Sequence, residues 1–183
     1  VGIAASISNA LLPSVASAYA VGNKAETLHK IDLAMRFTLI IAVPCMVGLS
    51  VLASPIMILL FGDSSSLPAR LLIFGCVNVL FWSISTLTNG ILQGLGQMRK
   101  PVKNAVFSLI VHIIICIILL LLGLGIYALV ISTPIFAISM CILNAIAISK
   151  AIGYNKIFGS GLFKILIASF IMGLFTFLSY HLI

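Results

Sequence analysis

Six apolar runs alternate with short polar connections along the chain, at about 1–20, 34–61, 69–95, 104–122, 125–149 and 162–182. Roughly 20 apolar residues carry an α-helix across the hydrocarbon core of a bilayer, and each run meets that length or comes close to it. The pattern predicts an all-α, multi-pass transmembrane helical bundle of about six spans, with residues 1–183 forming one unit. The first run is rich in Ala, Ser and Gly rather than Leu, which suits a helix packed closely inside a bundle. It begins directly at Val1, and the sequence reads as a piece of a longer protein.

The connections carry an alternating charge pattern. Those at about 21–33, 96–103 and 150–161 hold most of the Lys and Arg, while the one around Gly62–Ala69 holds Asp63 and that around Gly123–Tyr127 has no charge. Cytoplasmic loops of membrane proteins are enriched in Lys and Arg, so the three basic connections are expected on the cytoplasmic side. Composition agrees with a bilayer environment: 62% hydrophobic and 7% charged, with a mean hydropathy of +1.33. The net charge of +7 would suggest nucleic acid in a soluble protein. Here topology accounts for it, and no nucleic-acid partner is expected. Pro13, Pro44, Pro55 and Pro134 interrupt apolar runs, whereas Pro68 and Pro101 lie at their edges.

The third run is the most differentiated. At about 100° per residue, Asn78, Trp82, Ser85, Asn89 and Gln93 share one side, a polar stripe with one aromatic. Beside it runs a seam of small residues, Cys76, Ser83, Gly90 and Gly94, in which Gly90 and Gly94 make a G-x-x-x-G pair for close helix contact. Leu80, Ile84, Leu87 and Ile91 form the opposite side, which the pattern assigns to lipid. Amides facing lipid would be costly, so the polar stripe is expected to face either neighbouring helices or a water-filled central cavity.

Other polar residues inside apolar runs are fewer. His112 shares a face of the fourth run with Asn104, Ser108 and Cys116, and is expected to be a neutral histidine satisfied by a neighbouring helix, or else a cavity residue. Asn9 and Asn144 are expected to make interhelical bonds. Arg36, at the inner end of the second run, can snorkel to the headgroups or meet an anionic group in a cavity. The four cysteines lie within apolar runs without metal spacing and are expected to be packing residues.

Several functions are disfavoured. Glu26, Asp32 and Asp63 are the only acids and lie outside the expected hydrophobic interior, so no carboxylate pair serves acid–base chemistry. There is no nucleotide-binding G-x-x-x-x-G-K-[ST] loop and no cluster of metal ligands. No enzyme activity and no cofactor are expected.

The succession "NALLPSVASAYAVGN" (Asn9–Asn23), "MRFTLIIAVPCMVGLSVLASPIMILLFG" (Met35–Gly62) and "NGILQGLGQMRKPVKNA" (Asn89–Ala105) resembles the bacterial polysaccharide-biosynthesis transporters of the stage V sporulation protein B type. These share a multidrug, oligosaccharidyl-lipid and polysaccharide flippase superfamily with the lipid II flippase MurJ and the multidrug and toxin extrusion transporters. The resemblance implies most of the second lobe of a two-lobed transporter in the cytoplasmic membrane, from about the eighth helix to the thirteenth, with a first lobe on the same chain. It implies alternating access and a lipid-linked oligosaccharide or peptidoglycan precursor as substrate. Asn78, Trp82, Ser85, Asn89, Gln93, Arg36 and His112 are then the substrate-cavity candidates. The alternatives are a multidrug exporter of the same superfamily and a non-transporting scaffold or assembly protein.

Overall fold

The computed structural model describes residues 2–62, 66–153 and 162–182, and every regular element among them is helical. The helices are α1 (Gly2–Ala20), α2 (Lys24–Val51), α3 (Ala53–Phe61), α4 (Ser66–Gly94), α5 (Arg99–Leu121), α6 (Ile126–Ile152) and α7 (Leu162–Leu182). Six of them, all but the short α3, are long and apolar enough to cross a membrane, as the six apolar runs predict.

Two boundaries differ from the sequence expectation. The charged stretch 21–33 is not a loop: only Val21–Asn23 lie outside helices, and α2 begins at Lys24. Local chemistry explains this. The Asn23 side chain accepts from the Glu26 N–H at 3.2 Å and donates from Nδ2 to Glu26 Oε2 at 3.0 Å, which caps the free N–H groups of the first turn. Glu26–Lys30 and Asp32–Arg36 are then i,i+4 ion pairs, each at 2.8 Å, so charges that suggest a solvated loop instead neutralise one another along a helix. Arg36 consequently lies within α2 rather than at its end.

The second run is also two helices. At Leu52 the backbone leaves the helix, and its N–H bonds back to the Gly48 carbonyl at 3.0 Å. Pro55 has no N–H for the Val51 carbonyl, so a continuous helix would lose that bond and crowd the ring against it. Restarting at Ala53 puts Pro55 in the first turn of α3, where its missing N–H costs nothing. Pro13, Pro44 and Pro134 ride inside continuous helices. The connection expected at 96–103 is shorter, since α5 begins at Arg99; most of that at 150–161 lies outside the described residues.

Helix α4 is the centre of the bundle. It packs against α1, α2 and α3 on one side and α6 on the other; α5 adds to α6, and α7 adds to α2. The core joins Val15 of α1, Ile31, Met35 and Val43 of α2, Ile84, Leu87 and Ile91 of α4, and Ile148 of α6. This corrects the assignment of one α4 face to lipid: Ile84 and Leu87 are 0% exposed and Ile91 is 1% exposed. A central helix with neighbours on both sides is apolar around most of its circumference, and lipid and protein neighbours select the same residues. The true lipid-type surface is on the flanks, where α5 exposes Phe107, Ile110, Ile114 and Ile118 and α7 exposes Phe170, Phe175 and Phe177. An apolar surface of that extent is stable in hydrocarbon, where each helix satisfies its own backbone.

Candidate functional site

The small-residue seam of α4 faces α1. A Cβ added at Gly90 would collide with Ser8 Oγ, and one at Gly94 would lie 3.2 Å from the Leu12 carbonyl oxygen and 3.3 Å from Val15. Both glycines therefore let two backbones approach in a way no larger residue permits. Ser83 and Cys76 are buried, and Ser83 returns its hydroxyl to the Val79 carbonyl at 2.7 Å. Ser8 Oγ reaches the Thr86 carbonyl at 3.4 Å across the same seam.

The polar stripe divides into three parts. Its middle, Ser85 and Asn89, is drawn into the contact with α6. Asn144 of α6, 0% exposed, donates from Nδ2 to Asn89 Oδ1 at 2.8 Å and to Thr88 Oγ1 at 3.0 Å. Its Oδ1 accepts from Asn104 Nδ2 of α5 at 2.9 Å. Both amide N–H groups and the carbonyl of Asn144 are thus used, which is what a buried amide requires. Thr88 shares its own proton between the Ile84 and Ser85 carbonyls, at 2.9 and 3.0 Å. One side chain therefore ties three helices together.

A second link joins α5 to α6. Ser132 Oγ lies 3.2 Å from His112 Nε2, within hydrogen-bonding distance, and 3.1 Å from the Leu129 carbonyl oxygen, the second partner of the same hydroxyl. The His112 ring meets the Phe136 ring edge-on, and Phe136 in turn lies against Trp82 with ring centroids 5.6 Å apart. His112 is thus satisfied by a neighbouring helix.

The outer part of the stripe stays open. Asn78 and Trp82, with Gly75 and Val79 of α4 and Thr133 of α6, line an open groove of about 320 Å³. Trp82 is 37% exposed, and Asn78 Oδ1 is shielded yet has no hydrogen-bond partner. Gln93, the third part, is exposed at the far end of α4. Arg36 lies on α2, paired with Asp32 and away from this groove. Asn9 is exposed on α1 rather than bonded to another helix. The cysteines are free thiols: Cys76 and Cys141 are buried, with Cys141 Sγ 3.1 Å from the Phe81 carbonyl, whereas Cys45 is exposed. Sequence reasoning missed Thr88 and Thr133, whose signal is only a hydroxyl among apolar neighbours. Among the described residues, no three His, Cys, Asp or Glu side chains gather as a metal site.

A central helix with one packed, one bonded and one open polar face, inside a lipid-type shell, defines a multi-pass membrane protein of the kind that builds intramembrane polar grooves. The lipid II flippase MurJ family model matches residues 2–183, and the chain belongs to that family. It is similar to the lipid II flippase MurJ of Bacillus subtilis (strain 168), 25% identical over 178 residues that make up 95% of this chain and 32% of that protein. The chain thus spans about a third of the length of this curated relative. No solved structure matches it significantly. The family is one of membrane transporters, and membership in it does not favour the exporter or scaffold readings.

Proposed function

We propose that this chain is part of a bacterial plasma-membrane flippase that moves a lipid-linked peptidoglycan precursor by alternating access, and that it performs no catalysis. Two features support this: membership of the MurJ family over residues 2–183, and the open groove on α4. The groove is the observation that carries the mechanism. A sugar and pyrophosphate headgroup loses its hydration if it enters hydrocarbon, at a cost of several kcal/mol for each unpaired polar group. A wet groove removes that cost while the lipid tail remains in the bilayer. Asn78 lines the groove with an amide whose carbonyl oxygen has no partner within the chain, and Trp82 offers an exposed aromatic surface for the ring.

Ser85, Asn89 and His112 act by holding α4, α5 and α6 in register, and Gln93 lies at the far end of α4, beyond the groove's lining. Arg36, neutralised by Asp32, is given no part in binding the pyrophosphate. The remaining two-thirds of the transporter would supply a first lobe facing this groove, with the present chain as most of the second. The motif order favours the stage V sporulation protein B type within the superfamily. The basic ends near Lys24, Arg99 and Lys150 would face the cytoplasm.

The test is rescue of a strain depleted of its precursor flippase. The full-length protein should restore growth, and Asn78→Leu with Trp82→Ala should abolish rescue at unchanged membrane level. Full rescue by the double variant would remove the groove from the mechanism.

A further inference from the structure

Farther along α4 and α6 from the Asn144 link, toward the ends where the two helices begin, lies a second and larger depression. It is an open trough of about 520 Å³ lined by Arg70, Ile73 and Phe74 of α4, Leu124 of the α5–α6 turn, and Tyr127 and Ile131 of α6. Its walls are apolar apart from two groups. Phe74 and Tyr127 meet edge-on with centroids 6.2 Å apart and bridge the two helices along it. Arg70 is exposed, and among the described residues neither its guanidinium nor the Tyr127 hydroxyl has a side-chain partner.

That combination is unusual for a protein surface inside a bilayer. A guanidinium stays charged under all physiological conditions, and leaving it beside hydrocarbon without a counter-ion is costly. Arg70 lies in the second turn of α4, near the helix end, so its side chain reaches headgroup depth, and Tyr127 in the first turn of α6 lies at the same level. The rest of the trough descends from that level along apolar side chains. Its size falls within the roughly 300–1,000 Å³ range of small-molecule clefts. A ligand that fits must carry an anionic, hydrogen-bond-accepting head joined directly to an apolar tail.

We infer that the Arg70 trough holds an anionic phospholipid, its phosphate on the Arg70 guanidinium and Tyr127 hydroxyl and one acyl chain against Ile73, Leu124 and Ile131. The site is separate from the Asn78–Trp82 groove and shares no lining residue with it. It depends on residence in a membrane and not on which substrate the transporter moves. The lipid fills the seam between the starts of α4 and α6 where side chains leave it open.

Native mass spectrometry of the full-length protein tests this, with equal amounts of phosphatidylglycerol and phosphatidylcholine added after delipidation. The wild type should retain phosphatidylglycerol in preference. Arg70→Gln should lower that preference about tenfold, the value of one charge-assisted hydrogen bond of about 1.4 kcal/mol. Ile131→Trp, which fills the trough while leaving the cation in place, should lower retention of both lipids. Because Arg70 is exposed, its variant should keep the wild-type melting temperature. An unchanged preference in Arg70→Gln overturns the inference, as does unchanged retention in Ile131→Trp, which would mean that another part of the chain covers the trough. Displacement of the lipid by millimolar inorganic phosphate would overturn it too, making this a site for the free anion.

Discussion

Asn144 of α6 donates a 2.8 Å hydrogen bond to Asn89 of α4, between residues 55 positions apart in the chain. The same amide accepts from Asn104 of α5, so the polar residues of three apolar helices converge on one fully buried side chain. In hydrocarbon such a bond replaces no water, and an amide without it has no other partner nearby. Asn144 is therefore a register device: sliding α5 or α6 by one turn would strand at least one amide.

Replacing Asn144 with Leu should destabilise the folded bundle by about 1–3 kcal/mol, because three partners lose a bond and Asn104 and Asn89 keep desolvated atoms. Asn104→Ala removes one bond only and should cost about 0.6–1.7 kcal/mol, the range of single interhelical bonds in membranes. Thermal unfolding of the full-length protein in detergent measures both. Equal costs for the two variants would deny Asn144 its central position.

The Gly90 contact yields a paired test. Gly90→Ala places a methyl group on Ser8 Oγ and should lower the melting temperature. Ser8→Ala removes that oxygen, leaving Ser8 Cβ at 3.1 Å from the new methyl, so the double variant should recover part of the loss. Non-additivity in a double-mutant cycle identifies the contact, and strict additivity would separate the two residues.

The Leu52 break is attributed to Pro55. Pro55→Ala supplies an N–H for the Val51 carbonyl and should let α2 continue into α3. Spin labels at Val47 and Leu60 would then move farther apart in pulsed electron resonance. An unchanged distance would assign the break to tertiary packing.

Much of the fold is legible in the residues, for reasons that differ from element to element. The six spans follow from hydrophobic length alone, since hydrocarbon permits few alternatives to a helix. Gly90 and Gly94 were legible because their spacing and lack of bulk have one main use. The start of α2 at Lys24 has a signal in Asn23 and Glu26, a cap and its partner, but the charges around it suggest a loop equally well. The orientation of α4 is not legible: Ile84, Leu87 and Ile91 suit lipid and a protein core alike, and only the positions of α1, α2 and α6 decide between them. The division of the polar stripe is hidden for a related reason. Asn78 and Asn89 look equivalent on a helical wheel, yet Asn89 meets Asn144 and Asn78 opens on a groove.

The most direct test of the central claim, that the Asn78–Trp82 groove is a wet path for a polar headgroup, is water accessibility. In the full-length protein with its native cysteines replaced, Asn78→Cys and Thr133→Cys should react with a membrane-impermeant thiol reagent, while Ile114→Cys on the lipid-type face of α5 should not. Lipid-linked precursor should slow the first two reactions. If Asn78→Cys and Thr133→Cys are as unreactive as Ile114→Cys, the groove is filled by lipid or protein, and it does not carry the headgroup.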